Sequence, residues 1–301
     1  MVRSGTYSIV ARDPATGELG AAVQSHWFAV GPIVPWVHPG VGAVATQSIA
    51  DPAYGPRALD GLVAGSGARA VLDELVAGDE VGRFRQVGVV DPRGEVATHT
   101  GEGCIAFAGH QQGEQFSVQA NMMASPDVWP AMAAAFETAA GPLSRRLLAA
   151  LLAAEAAGGD ARGRQSAALL VAPAQGEPWR HSVDVRVDDH PEPLAELERL
   201  LDLADAYALA SEGDELVGQG RHEEAGQRYR QASAQAPGNH ELLFWSGLAA
   251  ARVGDMPAAL DQVREAIRLQ PGWYDLLGRL EPEIAPSAAA VRAALDGDAP
   301  V

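Results

Sequence analysis

Short β-prone runs separated by turn signals punctuate the first two-thirds of this chain, and that rhythm limits its fold more than any other feature. Gly5-Thr6-Tyr7-Ser8-Ile9-Val10-Ala11 alternates polar and apolar residues into a β-branched run. Asp13-Pro14-Ala15-Thr16-Gly17 supplies turn chemistry, and Gly20-Ala21-Ala22-Val23-Gln24-Ser25-His26 reads as the returning strand of a hairpin. Residues 85–90 and 95–100 flank Asp91-Pro92-Arg93-Gly94, a second hairpin. Residues 104–108 and 114–122 flank Gly109-His110-Gln111-Gln112-Gly113, which reads as the turn of a third. Further strands are expected over 41–47, 166–172 and 182–187, with 28–36 a loop or irregular strand. Helical spacing covers 57–75. Ser125-Pro126-Asp127 opens another helix, with the serine as cap; a third runs from Gly141-Pro142 to Ala157, and a fourth from Leu194 into the 200s. Helices grouped between antiparallel hairpins predict an α+β fold, a four-layer α-β-β-α sandwich of two packed sheets with helices outside.

The last hundred residues obey a different rule. Gly220 recurs as Gly254, Ala225 as Ala259, Ala232 as Ala266, Pro237 as Pro271 and Gly238 as Gly272, always 34 residues apart. Glycine between paired helices, alanine at their crossing and proline at the end form the tetratricopeptide signature, so an all-α helical repeat module follows the sandwich. The expected division is 1–205 for the sandwich, 206–280 for the repeats and 281–301 for a capping segment and loose tail. Two repeats are too few for a free-standing array, so the module is expected to pack on the first domain or on another copy, making a homo-oligomer.

Charge and composition exclude several classes. The net charge of −17 argues against nucleic acid or an anionic membrane surface as partner. All 22 basic residues are arginine, so no lysine is available to tune a nucleophile. Cys104 is the single cysteine, which excludes an internal disulfide framework, gives no zinc spacing and reads as a small buried hydrophobe. Asp184, Asp188, Asp189 and His190 fit a helix entry better than a metal site, because neighbouring strand residues point to opposite faces. No apolar run reaches the ~18 residues of a membrane span. No export signal opens the sequence, so a cytoplasmic protein without cofactor or metal is expected.

Chemistry concentrates at the first strand. If the chain were cut between Gly5 and Thr6, Thr6 would carry both a hydroxyl nucleophile and a free α-amine. An α-amine with a pKa near ~8 serves as base at neutral pH, so one residue supplies nucleophile and proton acceptor. The alternative is a threonine that only forms strand. Five residues precede Thr6, so the enzyme reading needs self-cleavage at Gly5 or a later start of translation. Asn121 is the side-chain candidate for an oxyanion donor, or else a turn asparagine. Arg162 and Arg164, in the polar loop that also holds Asp160 and Gln165, suit a substrate carboxylate, or else a solvated loop. Ser166 is placed to orient the amine, and His26 and His110 are acid–base or orienting candidates. Ser8, Ser25 and Cys104 stand next in line as nucleophiles.

These motifs resemble a known family. Thr6-Tyr7-Ser8-Ile9-Val10-Ala11-Arg12-Asp13, Val41-Gly42-Ala43-Val44-Ala45-Thr46-Gln47, Gly158-Gly159-Asp160 with Arg162-Gly163-Arg164-Gln165-Ser166, and Val187-Asp188-Asp189-His190-Pro191 are similar, in that order, to the bacterial family known as domain of unknown function 1028. The resemblance covers residues 6 to 205 and implies the N-terminal-nucleophile (Ntn) hydrolase fold, the same four-layer sandwich. The tail also resembles an appended module of that family labelled peptidoglycan-binding. Set against proteasome-type β-subunits, Gly5-Thr6 resembles an autolytic Gly-Thr junction, and Val23-Gln24-Ser25-His26 falls where a Val-Asp-Ser-Arg segment is usual, with Gln24 replacing the carboxylate. The function implied is an Ntn amidohydrolase acting on a small amide, peptide or ureido compound. The competing reading is a catalytically inert sandwich scaffold whose repeat module binds a protein or peptide.

Overall fold

The computed structural model describes residues 3–297, with side chains from residue 5 onward. In chain order the elements are β1 (Arg3–Ser4), β2 (Thr6–Arg12), β3 (Leu19–Ser25), β4 (Pro35–His38), β5 (Gly42–Ile49), α1 (Tyr54–Val63), α2 (Ala68–Ala77), β6 (Arg85–Val90), β7 (Val96–Thr100), β8 (Gly109–Gly113) and β9 (Phe116–Asn121). They continue with α3 (Val128–Thr138), α4 (Leu143–Ala156), β10 (Ser166–Ala172), β11 (Val183–Val187), α5 (Pro193–Gly218), α6 (His222–Gln235), α7 (His240–Arg252), α8 (Met256–Leu269), α9 (Gly272–Leu277) and α10 (Ala288–Gly297). The chain divides into two compact units, one up to Arg199 and one from Leu200.

The first unit is the four-layer sandwich. One sheet runs β1-β5-β6-β7, with β4 also paired to β5; the other runs β11-β10-β3-β2-β9-β8, and all these pairings are antiparallel. Between the sheets, Val10, Leu19, Ala21, Val23, Ala43, Ala45, Val90, Ala168 and Leu170 form a dry core. Strand side chains alternate between faces, so the neighbours of these residues look outward to the helices. There Val44, Val87 and Val89 meet Tyr54, Ala58, Leu62, Val71 and Leu72 of α1 and α2. On the other side, Phe116 of β9 packs against Phe136 of α3, ring centroids 4.7 Å apart.

The hairpin turns follow from their residues. Asp13 Oδ1 accepts from the Ala15 and Thr16 amides, and Gly17 at φ +75° closes the first turn. Asp91 Oδ1 accepts from Arg93 and Glu95, and Gly94 takes φ +88° in the second.

Three local expectations are corrected. The 57–75 helix is two helices, because the chain reverses at Gly65, φ +94°, where a side chain would be strained. Residues 109–113, read as a turn, are the edge strand β8, and the hairpin turns instead at Glu114 and Gln115. Those glycines make room for rings: a Cβ on Gly109 would stand 2.5 Å from the Trp129 ring, and one on Gly113 2.1 Å from that of Phe116. Ser125 accepts from the Asp127 amide and caps no helix, since α3 starts only at Val128. Within the stretch expected to hold a capping segment and loose tail, residues 288–297 form α10, whose Ala288 and Val291 are buried; 298–301 lie outside the described residues.

The second unit keeps the repeat. Helices α6 and α8 begin and end 34 residues apart. Ala225, Ala232, Ala259 and Ala266 are buried at the crossings, and Gly220 and Gly254 both take positive φ at the turns. Within this unit, Tyr207, Tyr229, Trp245, Arg252 and Ile284 help line a cavity of ≈ 390 Å³. Among the described residues, no helix is long and apolar enough to cross a membrane.

Candidate active site

One rung of the second sheet carries a polar residue on four adjacent strands. Ser166 of β10 pairs with Ser25 of β3, Ser25 with Thr6 of β2, and Thr6 with Asn121 of β9. All four are buried and share the face that meets the other sheet. The inter-sheet layer is therefore split: apolar at one end, and at the Thr6 end filled by Ser8, Gln47, Gln86, Ser117, Gln119 and Asn121. Buried polar groups are costly unless paired, and most of these are. Gln47 Nε2 donates to Gln86 Oε1 at 2.8 Å, Gln119 Nε2 to Ser8 Oγ at 2.7 Å, and Gln86 Nε2 to the Ala120 carbonyl at 2.9 Å.

The Gly5–Thr6 peptide sits where the two sheets part. Strand β1 pairs with β5 in the first sheet, whereas β2 begins at Thr6 in the second, so Gly5 bridges them. Its carbonyl oxygen accepts from Ser25 Oγ at 2.5 Å and from Arg162 Nη2 at 2.9 Å. Thr6 Oγ1 lies 3.0 Å from that same Ser25 Oγ. Since Ser25 gives its single proton to Gly5, the Thr6 hydroxyl is the donor in the second contact.

Backbone geometry delivers Asp160 and Arg162 to Gly5 from 155 and 157 residues away. Met122, at φ +59°, ends β9; Met123 forms a bridge with Asp160, and the Ala161 amide bonds the Met122 carbonyl. Gly158 and Gly159, both at positive φ, turn the chain out of α4 into this contact. The Asp160 carboxylate is fully covered and accepts four hydrogen bonds: Arg162 N at 2.9 Å, Arg162 Nε at 3.1 Å, Arg162 Nη2 at 2.8 Å and His26 N at 3.1 Å. Asp160 therefore locks the guanidinium that reaches Gly5.

The remaining candidates have other partners. Asn121 Nδ2 donates to the carbonyl of Thr6 at 3.4 Å and to Gln86 Oε1 at 3.0 Å; the donors on the Gly5 oxygen are Ser25 and Arg162. Ser166 Oγ donates to the Trp27 carbonyl at 2.5 Å and accepts from the Val30 amide at 3.1 Å, which ties down the loop after β3. His26 uses its ring to contact the Arg164 carbonyl at 3.2 Å. Arg164 is held by Glu155 and Glu192, and hydrogen bonding and charge from Glu155, with Glu192, raise its pKa; Gln165 bonds Asp189 at 3.2 Å. His110, on β8, meets Thr100 Oγ1 at 2.8 Å. Desolvation, then the charges of His99 and Arg69, hold its imidazole below the usual histidine range. Through Thr100, Gln86 and Asn121 it joins the network that ends on the Thr6 carbonyl.

One residue gains weight that the sequence alone withheld. Ser25 stood only as a reserve nucleophile, yet it touches both Gly5 and Thr6. Gln24 pairs with Tyr7 and shares its helix-covered face, away from Thr6, and the carboxylate packed on Gly5 belongs to Asp160. Tyr7 itself donates to Glu155 at 2.7 Å, and burial, then that carboxylate, push its hydroxyl well above the ordinary tyrosine pKa.

Comparison with known proteins follows the same division. A tetratricopeptide repeat model matches residues 210–272. The crystal structure of protein SPO2555 from Silicibacter pomeroyi, described with the same family model as the first unit, is similar at 32% identity and TM-score 0.61, covering 66% of this chain and 89% of that one. Anbu, an ancestral β-subunit from Yersinia bercovieri, aligns at 12% identity and TM-score 0.31, over 64% of this chain and 92% of that one, too loosely to carry an argument. No curated protein matches. The model of the family of unknown function DUF1028 matches residues 6–197, most of the chain, and the protein belongs to that family.

Proposed function

We propose that the sandwich is an N-terminal-nucleophile amide hydrolase whose first substrate is its own Gly5–Thr6 bond. The observation that carries this reading is the set of contacts on one peptide: Ser25 Oγ and Arg162 Nη2 both donate to the Gly5 carbonyl, and the Thr6 hydroxyl stands beside Ser25. Donors aimed at a carbonyl oxygen stabilise the negative charge that develops there, worth ~3 kcal/mol per donor in comparable sites.

The chemistry balances without an external group other than water. Thr6 Oγ adds to the Gly5 carbonyl carbon while its proton passes to Ser25 Oγ and the Ser25 proton passes to the Gly5 oxygen. The tetrahedral centre then loses the C–N bond, the Thr6 nitrogen takes up the proton, and Gly5 is left as an ester on Thr6. Water hydrolyses that ester, releasing the Gly5 carboxyl group and a Thr6 with a free amine. That amine then serves as base for attack by the same hydroxyl on a small amide, peptide or ureido carbonyl.

In this reading Thr6 is nucleophile and base. Ser25 and Arg162 hold the oxyanion, Asp160 fixes Arg162, and Asn121 fixes the Thr6 backbone. Ser166 and His26 hold the loop after β3 in place, while Arg164, Gln165 and His110 maintain the surrounding network. The repeat module is the partner-binding part, since tetratricopeptide repeats generally mediate contacts between proteins and this one carries an aromatic-lined cavity. One observation favours the inert-scaffold reading: in the uncut chain Thr6 is fully buried. Intact-mass measurement on the purified protein separates the two. Loss of everything up to Gly5, abolished by Thr6→Ala, supports the hydrolase; an uncut chain supports the scaffold.

A further inference from the structure

We infer that the acyl group accepted at this site is a glycyl group: the preferred substrates are amides or esters whose carbonyl belongs to a residue with an unbranched α-carbon. The inference rests on the reading of Thr6 as nucleophile. A nucleophile that acts first on its own chain and later on a substrate receives both acyl groups at one atom. The space around the Gly5 α-carbon is therefore the space offered to the α-carbon of any later acyl donor.

That space is closed on one side. A Cβ on Gly5 would stand 2.9 Å from both carboxylate oxygens of Asp160 and 3.0 Å from Arg162 Nη2. Ordinary carbon–oxygen contacts are ~3.3 Å or longer. Whether a side chain fits depends on whether Asp160 can yield, and its carboxylate carries four hydrogen bonds and is fully covered. Its backbone is pinned as well, by the bridge to Met123. Retreat would stretch several charge-assisted bonds at once. The direction of the Gly5 nitrogen is different: there the chain continues into β1, paired through Ser4 and Arg3 with Ser48 and Ile49 of β5. A substrate extended on the amino side of its glycine can follow that path, while one with an L side chain on the acyl residue meets Asp160.

One added methyl in a tight subsite discriminates by about 10- to 200-fold. The test uses the protein expressed from its full sequence, after it has cut itself, and the p-nitrophenyl esters of N-acetylglycine and N-acetyl-L-alanine. In the acylation step the Thr6 Oγ–carbonyl bond forms, the bond to p-nitrophenolate breaks, and the Thr6 proton leaves to solvent through the amine. Release of p-nitrophenol is expected to be about 10- to 200-fold faster from the glycine ester. The Gly5→Ala chain, with its fold checked by circular dichroism, is expected to cut itself more slowly by a similar factor. Equal rates on the two esters, or reaction with neither by a chain that has cut itself, would overturn the glycyl assignment and leave the nucleophile standing. A wild-type chain that never loses its leader would overturn the nucleophile, and the assignment with it.

Discussion

Ser25 donates its hydroxyl to the carbonyl oxygen of Gly5 at 2.5 Å, from the strand next to the one that Thr6 begins. The contact joins Gly5 to the rung that holds Thr6, and the first three predictions probe Thr6, Ser25 and the Asp160–Arg162 pair around it.

Thr6→Ala is expected to leave the chain whole, because no other hydroxyl follows the Gly5 carbonyl directly in sequence. Thr6→Ser keeps an oxygen at the same position and is expected to cut. Electrospray mass spectra of the two variants and the wild type decide this; a Thr6→Ala chain that still lost residues 1–5 would move the nucleophile elsewhere.

Ser25→Ala removes an oxyanion donor and the proton relay together. Self-cleavage is expected to slow by about 10²–10³-fold, the loss seen when one such donor is deleted. The fold loses two hydrogen bonds, Ser25 to Gly5 and Thr6 to Ser25, and leaves the buried Thr6 hydroxyl without that acceptor, so stability should fall by about 1–3 kcal/mol. Following the uncut fraction over time by mass spectrometry reads the rate.

Asp160→Asn leaves the Arg162 guanidinium without its counter-charge in a covered site. Breaking a buried pair by removing one partner costs ~3–5 kcal/mol, with Arg162 partly exposed and the cost therefore at the low end. A lower urea midpoint together with loss of cutting is expected. Unchanged stability would show that the pair is solvated.

Acid sensitivity should be visible at Asp79. Burial alone would raise its carboxyl, but hydrogen bonds from Arg85, the Val81 amide and Tyr54, with the Arg85 charge, hold it below its ordinary value. A carboxyl depressed in the folded state stabilises the protein above its unfolded pKa, near ~4, and that contribution is lost as pH falls through the folded value. Asp79→Asn is expected to lower stability at neutral pH and to flatten its decline in acid, measured as urea midpoints at pH 7, 4 and 3. Parallel profiles for variant and wild type would refute the assignment.

In the repeat unit, Phe244 is fully buried and stacks on Trp273 with centroids 4.5 Å apart. Phe244→Ala should destabilise that unit by ~3–5 kcal/mol through transfer and cavity terms. Loss of helical ellipticity at lower temperature, with cutting at Gly5 unaffected, is the expected result.

How much of this was written in the residues depends on the range of the interaction involved. Turn chemistry at 13–17 and 91–94, strand alternation and the 34-residue recurrence are local, and they determined by themselves the antiparallel hairpins, the layered sandwich and the helical repeats. Gly109 and Gly113 misled for a physical reason: glycine serves both as a turn former and as clearance for a ring, and only packing against Trp129 and Phe116 distinguishes the two. The candidate site was legible in part, with Thr6, Asn121 and Ser166 on one rung, but which groups touch the Gly5 carbonyl was not. Sheet order brings Ser25 across from Thr6, and a positive-φ turn at Met122 brings Asp160 and Arg162 more than 150 residues to the same peptide. Pattern along a chain reports on neighbours in sequence; only the tertiary fold decides which distant hydroxyl and guanidinium share one carbonyl oxygen.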